Sequence, residues 1–282
     1  MGREGEGFMT VPAVSVVMTV YNGEPWVGEA VDSILAQTFE DFELVVVDDG
    51  STDGTPDTLR RRAGPRLHVI RQRQTGQTPA LNVALQQARG PLIARMDADD
   101  VALPERLARQ VAFFAANPSV GLLGTGSHEI SPEGKILSTD VPPVEDRAIR
   151  RELIRRNPFV HSAVMFRRAA LDAAGPYDEG FVVAQDYDLW LRMSRVTILA
   201  NLPEPLVLRR RAPGQLSSRR DTTRIRDEVV AKLRALQRGT YPPWCAMYLG
   251  KPLCALAFPP ALRRALRHVV RPDASASGVH RP

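Results

Sequence analysis

The first 115 residues alternate between short apolar runs and longer runs with helical periodicity. The apolar runs are continuous and rich in β-branched residues, which predicts strands buried on both faces of a sheet. Strand and helix patterns that alternate in this way are typical of a doubly wound α/β fold with a mostly parallel sheet. The predicted strands are "VSVVMTV" (14–20), "FELVVVDD" (42–49), "RLHVIRQ" (66–72) and the start of "LIARMDADD" (92–100).

Local signals place several further elements. Thr78 and Pro79 predict the N-cap and first residue of one helix, and Pro104 predicts the start of the next. Beyond residue 117 the pattern is looser and predicts short strands around the turn "SPEG". The remaining predictions are a strand at 159–166, a helix at 185–193 and an arginine-rich amphipathic helix at 221–238.

Polar residues stand where three of these strands end, at Thr19–Asn22, Asp48–Ser51 and Asp97–Asp100. In an open parallel sheet, ligands bind beyond the carboxyl ends of the strands. The three segments therefore predict one binding site at one edge of the sheet. The glycine pattern GxGxxG does not follow the first strand, which argues against a dinucleotide site.

Asp97 and Asp99 point to the same side of an extended chain, because side chains alternate along a strand. Two carboxylates this close repel each other unless a cation lies between them. Their hard oxygen ligands suit Mg²⁺ or Mn²⁺, which keep open positions for phosphate oxygens. The alternative is that Asp99 and Asp100 only favour the start of the following helix. Their place at a strand end favours the metal hypothesis.

Asp49 follows a largely apolar strand, where its carboxylate could accept hydrogen bonds from a nucleotide base or a ribose hydroxyl. A polar turn is the alternative, since Gly50 and Gly54 suit backbone positions with positive φ. Asp186 begins a predicted helix and shares a face with the apolar Leu189 and Trp190. Partial desolvation there would raise its pKa and make it a proton acceptor. An acid favoured by the helix dipole explains the position equally well.

Charge and cysteine content limit the class of protein. The formal net charge is +5 and the pI is 9.6, which permits an anionic partner such as phosphate, nucleic acid or a lipid surface. The two cysteines match no metal or redox spacing, so a cytoplasmic, reducing location is expected. We find neither a signal peptide nor an apolar run long enough to span a membrane.

Four ordered motifs resemble the inverting glycosyltransferases of family 2, which have the GT-A fold. "VSVVMTVYNGEPWVGEAVDSILAQTFEDFELVVVDDGSTDGT" is similar to the opening signature of that family. "ARGPLIARMDADDVALPERLARQV" resembles its metal motif, and "HSAVMFRR" and "QDYDLWLRM" resemble its acceptor-side strand and catalytic-base helix. The resemblance covers residues 12–218. It implies an α/β fold with a mostly parallel Rossmann-like sheet, a small antiparallel element and a C-terminal helical extension.

The resemblance also implies roles for particular residues. Thr19, Tyr21 and Asp49 would contact the nucleotide of a sugar donor, with uridine or thymidine diphosphate as the expected carrier. Asp97 and Asp99 would bind the diphosphate through Mn²⁺ or Mg²⁺. Asp186 would deprotonate the acceptor hydroxyl in a single inverting displacement.

The chain departs from the family pattern at two positions. Gln185 precedes the expected base where an acid is usual, and "RRRAPGQLS" lacks the histidine often found near "GQxS". Arginine cannot bind a metal but can pair with diphosphate, so Arg209 and Arg211 are predicted donor-binding residues. His161 and Trp190 are predicted to lie on the acceptor side of the site.

The predicted organisation is a flexible N-terminus, a catalytic domain, a helical extension and a disordered tail. Aromatic and arginine residues at 241–271 suggest peripheral contact with the inner face of the membrane. Packing against the catalytic domain or a second copy is the alternative. The expected acceptor is a cell-surface glycan, a lipid-linked sugar or a small molecule. The segments are 1–11, 12–218 (a nucleotide-binding half 12–116 and an acceptor half 117–218), 219–272 and 273–282.

Two other classes of protein fit parts of the sequence. A sugar nucleotidyltransferase also binds nucleotides at carboxylates and a metal, but "TVYNGEP" is not its glycine-rich basic loop. A nucleic-acid-binding protein would fit the pI. However, the arginines are scattered and aromatic residues are only 6% of the chain, so we expect no nucleic acid partner.

Overall fold

The protein is described here from a computed structural model, which covers residues 11–211 and 221–257. Within these residues one mixed sheet runs in the order β3-β2-β1-β4-β8-β6-β9-β5, and β7 pairs with β6. The strands are β1 (Val14–Val20), β2 (Phe42–Asp48), β3 (Leu67–Arg71), β4 (Leu92–Asp97), β5 (Val101–Ala102), β6 (Val120–Ile130), β7 (Ile136–Asp140), β8 (Met165–Arg167) and β9 (Ile198–Arg210).

Helices cover both faces of the sheet. They are α1 (Val27–Leu35), α2 (Thr55–Arg60), α3 (Gln77–Gln87), α4 (Arg106–Ala116), α5 (Asp146–Leu153), α6 (Arg168–Ala174), α7 (Gln185–Met193), α8 (Asp221–Gln237) and α9 (Gly250–Ala257), with 3-10 turns at His161–Ala163 and Pro243–Leu249.

The first four strands in the sheet are parallel, and their register aligns their carboxyl ends. Thr19 of β1 pairs with Asp97 of β4, and Val20 pairs with Asp48 of β2. The polar residues that follow these strands therefore lie along one edge. The antiparallel part consists of β8 between β4 and β6, the β6–β7 hairpin, and β5 against β9. The predicted fold class is confirmed.

The core explains why the strand sequences are continuously apolar. Val17 of β1 packs with α3, α7 and α8 on one face of the sheet. Its neighbours Val16 and Met18 pack with α1, α2 and α4 on the other face. Because successive strand residues face opposite sides, both must be apolar when helices cover both sides.

Three local predictions were wrong. Residues 159–166 do not form one strand, because His161–Ala163 turn and only Met165–Arg167 pair in the sheet. Helix α3 begins at Gln77, so Thr78 is not its N-cap; the buried Thr78 hydroxyl instead donates to the Phe181 carbonyl at 2.9 Å. Helix α4 begins two residues after Pro104, at Arg106. In these regions hydrogen bonds to distant parts of the chain outweighed the local sequence preferences.

Helix α8, which follows residues 212–220, packs against α7. Among the described residues, no helix combines the length and apolar character needed to cross a bilayer. The predictions for residues 1–10, for the "GQLS" segment and for residues 258–282 lie outside the described residues. The proposed domain boundaries stay predictions.

Candidate active site

A cleft of about 1260 Å³ opens at the carboxyl edge of the parallel strands. Its walls come from the ends of β1, β4 and β9, the turn around His161, and the start of α7. All but one of the predicted site residues line this cleft, although they are spread over nearly 200 positions of the chain. They are Thr19, Tyr21, Asp49, Asp97, Asp99, His161, Asp186, Arg209 and Arg211.

One wall of the cleft is built around Asp49. Its buried carboxylate accepts hydrogen bonds from the main-chain N–H groups of Thr75 and Gly76, each at 2.8 Å, and from the Gln72 amide at 2.8 Å. Asp49 therefore fixes the loop that follows β3 as one wall of the cleft. One carboxylate oxygen, Oδ2, accepts only the Gly76 bond, which leaves it capacity for a ligand donor.

The loops after β1 and β2 hold each other in place. Asn22, at φ 51°, accepts a hydrogen bond from the Thr52 N–H at 2.8 Å, and its own N–H donates to the Ser51 hydroxyl at 2.9 Å. Asparagine tolerates this left-handed backbone better than most residues. These two hydrogen bonds hold the loop that places the partly exposed Tyr21 at the mouth of the cleft.

The acidic end of the cleft combines three carboxylates. Asp97, Asp99 and Asp100 each offer an oxygen within 4.8 Å of the others. The completely buried Arg95, two residues earlier in β4, forms an ion pair with Asp97 from inside the protein. Burial alone would raise the pKa of Asp97, but the Arg95 guanidinium outweighs it and lowers that pKa to about 2. Asp97 is therefore an anion throughout the physiological range.

Ser162 joins two of these carboxylates. Its hydroxyl lies 2.6 Å from Asp97 Oδ2 and also contacts Asp100 Oδ2. One hydroxyl carries one proton, so it satisfies both acids only when one of them is protonated. Burial, together with the charges of Asp97 and Asp99, raises the pKa of Asp100 to about 8. The raised pKa favours a protonated Asp100 that donates to Ser162, which in turn donates to Asp97.

Asp100 also ties the acidic motif to the end of β9. Its Oδ1 accepts a hydrogen bond from the Arg210 N–H at 2.8 Å, and the Arg210 side chain donates to the Asp99 carbonyl at 3.0 Å. The other Arg210 end pairs with Glu29 of α1 at 2.6 Å. All three acids line the cleft, but Asp100 is buried and occupied within the protein, whereas Asp97 and Asp99 are partly exposed.

Asp186 stands in the first turn of α7 and faces the cleft. Burial raises its pKa, and the Asn157 amide donates to its Oδ2 at 2.8 Å. Asp188, two residues on, is buried and paired with Arg192 at 2.8 Å. Of the two acids that begin this helix, Asp188 is paired within the protein and Asp186 faces the cleft.

The residue before α7 has a strained backbone. Ala184 adopts φ 63° and ψ 21°, a left-handed conformation that costs a non-glycine residue about 1–2 kcal/mol. Such strain persists only where the surroundings impose it, and it is common at functional sites. Here it sets the direction in which the first turn of α7 enters the cleft.

His161 lies between the acidic cluster and α7. Its Nε2 is 2.9 Å from the Tyr177 hydroxyl, and burial with the nearby Arg95 lowers its pKa well below the ordinary value. The ring is therefore neutral. Trp190 packs beneath it with ring centroids 6.1 Å apart and is completely buried. The structure does not bring Trp190 to the cleft surface, because it fills the core that supports His161.

Arginines at and just beyond the end of β9 also line the cleft. Arg209 and Arg211 flank Glu129, with Arg209 at 3.4 Å and Arg211 in direct contact. Both guanidinium groups are partly exposed, so they could also reach an anion in the cleft. Arg156 and Arg224 add positive charge to the lining.

Several residues of this site were not predicted. Arg95 carried a signal, because a lone arginine in an apolar strand shares a face with Asp97 two positions on. Ser162, Asn157 and Arg210 carried none, since their partners are 29 to 110 positions away.

The chain is similar in sequence to known proteins. The family model described as "Glycosyl transferase family 2" matches residues 15–175. EpsE of Bacillus subtilis is 32% identical over 258 residues, which cover 89% of this chain and 91% of that protein. The amylovoran biosynthesis glycosyltransferase AmsE of Erwinia amylovora is 32% identical over 221 residues, covering 76% of this chain and 82% of that protein.

Solved structures share the fold at lower sequence identity. Staphylococcus aureus TarS 1–349 in complex with UDP-GlcNAc has a TM-score of 0.68 and 22% identity, covering 93% of this chain and 76% of that one. The mannosyltransferase PcManGT of Pyrobaculum calidifontis, in complex with GDP-Man and Mn²⁺, has a TM-score of 0.60 and 24% identity, covering 93% of this chain and 81% of that one.

Proposed function

Because this chain belongs to glycosyl transferase family 2, we propose that it moves a sugar from a nucleoside diphosphate donor to a glycan hydroxyl with inversion. The observation that carries the proposal is the meeting of Asp97, Asp99 and Asp186 in one cleft. Inversion requires a base on one side of the sugar and a stabilised leaving group on the other. The carboxylate of Asp186 and the acid–arginine rim supply groups of these two kinds.

Asp186 is proposed as the general base. It would take the proton of the acceptor hydroxyl while that oxygen bonds to the anomeric carbon, and the bond from that carbon to the diphosphate would break in the same step. A base works best when its pKa approaches the working pH, and burial moves the pKa of Asp186 in that direction. Asn157 would hold the carboxylate in position through its 2.8 Å hydrogen bond.

A divalent cation fits the carboxylate oxygens of the acidic cluster in the cleft. Asp97 and Asp99 would hold it, because their oxygens are the hard ligands that Mg²⁺ and Mn²⁺ prefer and both line the cleft. Such a cation would neutralise charge on the departing diphosphate. Arg209 and Arg211 would pair with the same diphosphate, and Asp49 with Thr19 and Tyr21 would contact the nucleoside.

The donor and acceptor are proposed from similar proteins. TarS and PcManGT are known in complexes with UDP-GlcNAc and GDP-Man. We favour a uridine or thymidine diphosphate sugar for this chain, and Mn²⁺ or Mg²⁺ as the metal. The name of AmsE refers to amylovoran biosynthesis, which supports a role in polysaccharide synthesis. The expected place of action is the cytoplasmic side of the membrane.

Thermal unfolding tests donor binding directly. We expect a nucleoside diphosphate together with Mn²⁺ to raise the Tm, because a ligand that binds only the folded state stabilises it. Release of free sugar from a panel of nucleotide sugars would then identify the carrier. A chain that is stabilised by neither UDP, dTDP nor GDP, with or without metal, would contradict the proposal.

The pH dependence of transfer should respond to Asn157. Its amide stabilises the charged form of Asp186, so Asn157→Ala should raise the pKa of that base further. A base acts when deprotonated, so the acid limb of the kcat profile should move to higher pH. The rates at high pH should change much less. Asn117→Ala, which removes a hydrogen bond on α4, is the matched control and should leave the profile unchanged.

A further inference from the structure

Two short helical segments near the end of the described chain present apolar side chains to solvent. Trp244 is 64% exposed and Met247 is 68% exposed. They lie three residues apart in a 3-10 turn, so they share one side of it. Cys245 and Leu249 of the same turn are buried and hold it against the body of the protein. An exposed indole beside a long thioether indicates a contact surface.

The same region carries no negative charge in the sequence. Between residues 229 and 272 there is no aspartate or glutamate, whereas eight residues are lysine or arginine. Lys232 pairs with Glu228 and Arg234 with Asp178, and in the described part of this segment Arg238 and Lys251 are further exposed cations. A segment with several cations and no acids favours an anionic partner.

Two further contacts extend the basic surface. The Arg155 guanidinium lies 5.3 Å from the centre of the Tyr248 ring, and Trp244 packs edge-on against the same ring. Arg238 also lines a cavity of about 210 Å³ together with Arg192 and Arg195. Guanidinium groups bind phosphate through paired hydrogen bonds. The aromatic pair is therefore bordered by one arginine, Arg155, whose guanidinium is suited to phosphate.

We propose that residues 238–257 form a docking surface for anionic phospholipids, in which Trp244 and Met247 enter the interfacial layer and Arg155, Arg238 and Lys251 contact the headgroups. Tryptophan prefers the boundary between headgroups and acyl chains, and each nearby cation adds attraction to an anionic leaflet. A second copy of this chain fits less well, because its matching surface would repeat the same positive charge.

The docking surface adjoins the cleft. Arg155 contacts Tyr248, and the next two residues, Arg156 and Asn157, line the cleft wall. Docking uses none of the side chains assigned to donor binding or base catalysis. The two can therefore fail independently: lipid binding can be measured without nucleotide, and donor binding without lipid.

Vesicle flotation of the full-length chain tests the proposal. We expect binding to phosphatidylcholine vesicles that contain about 30 mol % phosphatidylglycerol, and far weaker binding to phosphatidylcholine alone. Raising the salt from about 0.1 M to about 0.5 M should reduce binding, because it screens the headgroup contacts. A wild-type chain that floats equally with neutral and anionic vesicles, or with neither, would overturn the proposal.

Paired substitutions locate the surface. Trp244→Ser with Met247→Ser should lower the vesicle partition coefficient by at least about tenfold, since both apolar anchors are lost. Ile136→Ser with Leu137→Ser is the control, because these residues of β7 are 55% and 49% exposed and lie on a different element. Equal loss in both variants, or loss in neither, would show that this surface does not dock.

Intrinsic fluorescence reports whether Trp244 itself contacts the lipid. The chain has three tryptophans, of which Trp26 is half-buried and Trp190 completely buried. Anionic vesicles should shift the emission to shorter wavelength, and Trp244→Phe should remove that shift while retaining flotation. The proposal fails if the emission of the Trp244→Phe variant shifts as the wild-type emission does. It also fails if the paired Trp244 and Met247 variant changes only the sedimentation of the lipid-free chain, because the surface would then bind another partner.

Discussion

Asp186→Asn should abolish sugar transfer while leaving donor binding nearly intact. Loss of a positioned general base typically costs about 10²–10⁴ in rate, and the amide cannot accept the proton of an attacking hydroxyl. Asparagine keeps the shape of the side chain at the start of α7. The measurements are kcat for transfer and the Tm shift produced by donor nucleotide and metal, each compared with wild type.

Stability provides an internal control for this variant. A carboxyl whose pKa is raised by folding stabilises the protein at low pH, and that contribution is lost as the pH rises through the raised pKa. The neutral amide avoids this loss, so Asp186→Asn should unfold at or above the wild-type Tm at pH 8. An inactive variant that is also less stable would indicate a structural role instead. Asp172→Asn, on the exposed surface of α6, should behave as wild type.

Asp99→Ala should weaken the binding of both metal and diphosphate. Loss of a hydrogen bond around a metal site already costs about 10–100-fold in affinity, and loss of a ligand should cost more. The measurements are the Kd for Mn²⁺ in the absence of donor, and the Kd for nucleoside diphosphate with and without metal. We expect the metal-dependent part of diphosphate binding to disappear. A variant that binds Mn²⁺ as tightly as wild type would remove Asp99 from the proposed ligands.

Asp97→Ala should show a different combination of effects. Asp97 compensates the completely buried Arg95, and a buried charge left without its partner costs roughly 3–5 kcal/mol. This variant should lose stability as well as metal affinity. Replacing Arg95 and Asp97 together, as Arg95→Met with Asp97→Ala, should recover part of the stability but none of the metal binding. Comparison with Asp99→Ala thus separates the ligand role from the structural one.

Much of the fold was accessible from local pattern. The bounds of β1 and β2 were predicted to within a residue, because strands covered on both faces must be continuously apolar. The helices at 185–193 and 221–238 were similarly close to α7 and α8. The region at 159–166 was not, because its apolar composition is satisfied by a buried turn as well as by a strand.

The candidate site was only partly accessible. The amino-acid sequence by itself determined that acids follow the strands, that these ends share one edge of the sheet, and that the motifs match a glycosyltransferase family. Strand period and parallel topology are enough for that, since both act over a few residues. Local pattern could not show which of the four acids, Asp97, Asp99, Asp100 and Asp186, the fold would occupy with internal partners.

Only the tertiary structure decided the surroundings of each acid. It occupies Asp100 with Ser162 and Arg210, pairs Asp97 with Arg95, and supports Asp186 with Asn157. It also buries Trp190 in the core, away from the cleft surface. The physical reason is that hydrogen bonding and burial depend on partners as many as 110 positions away, whose approach is set by the packing of the whole sheet and leaves no local periodicity.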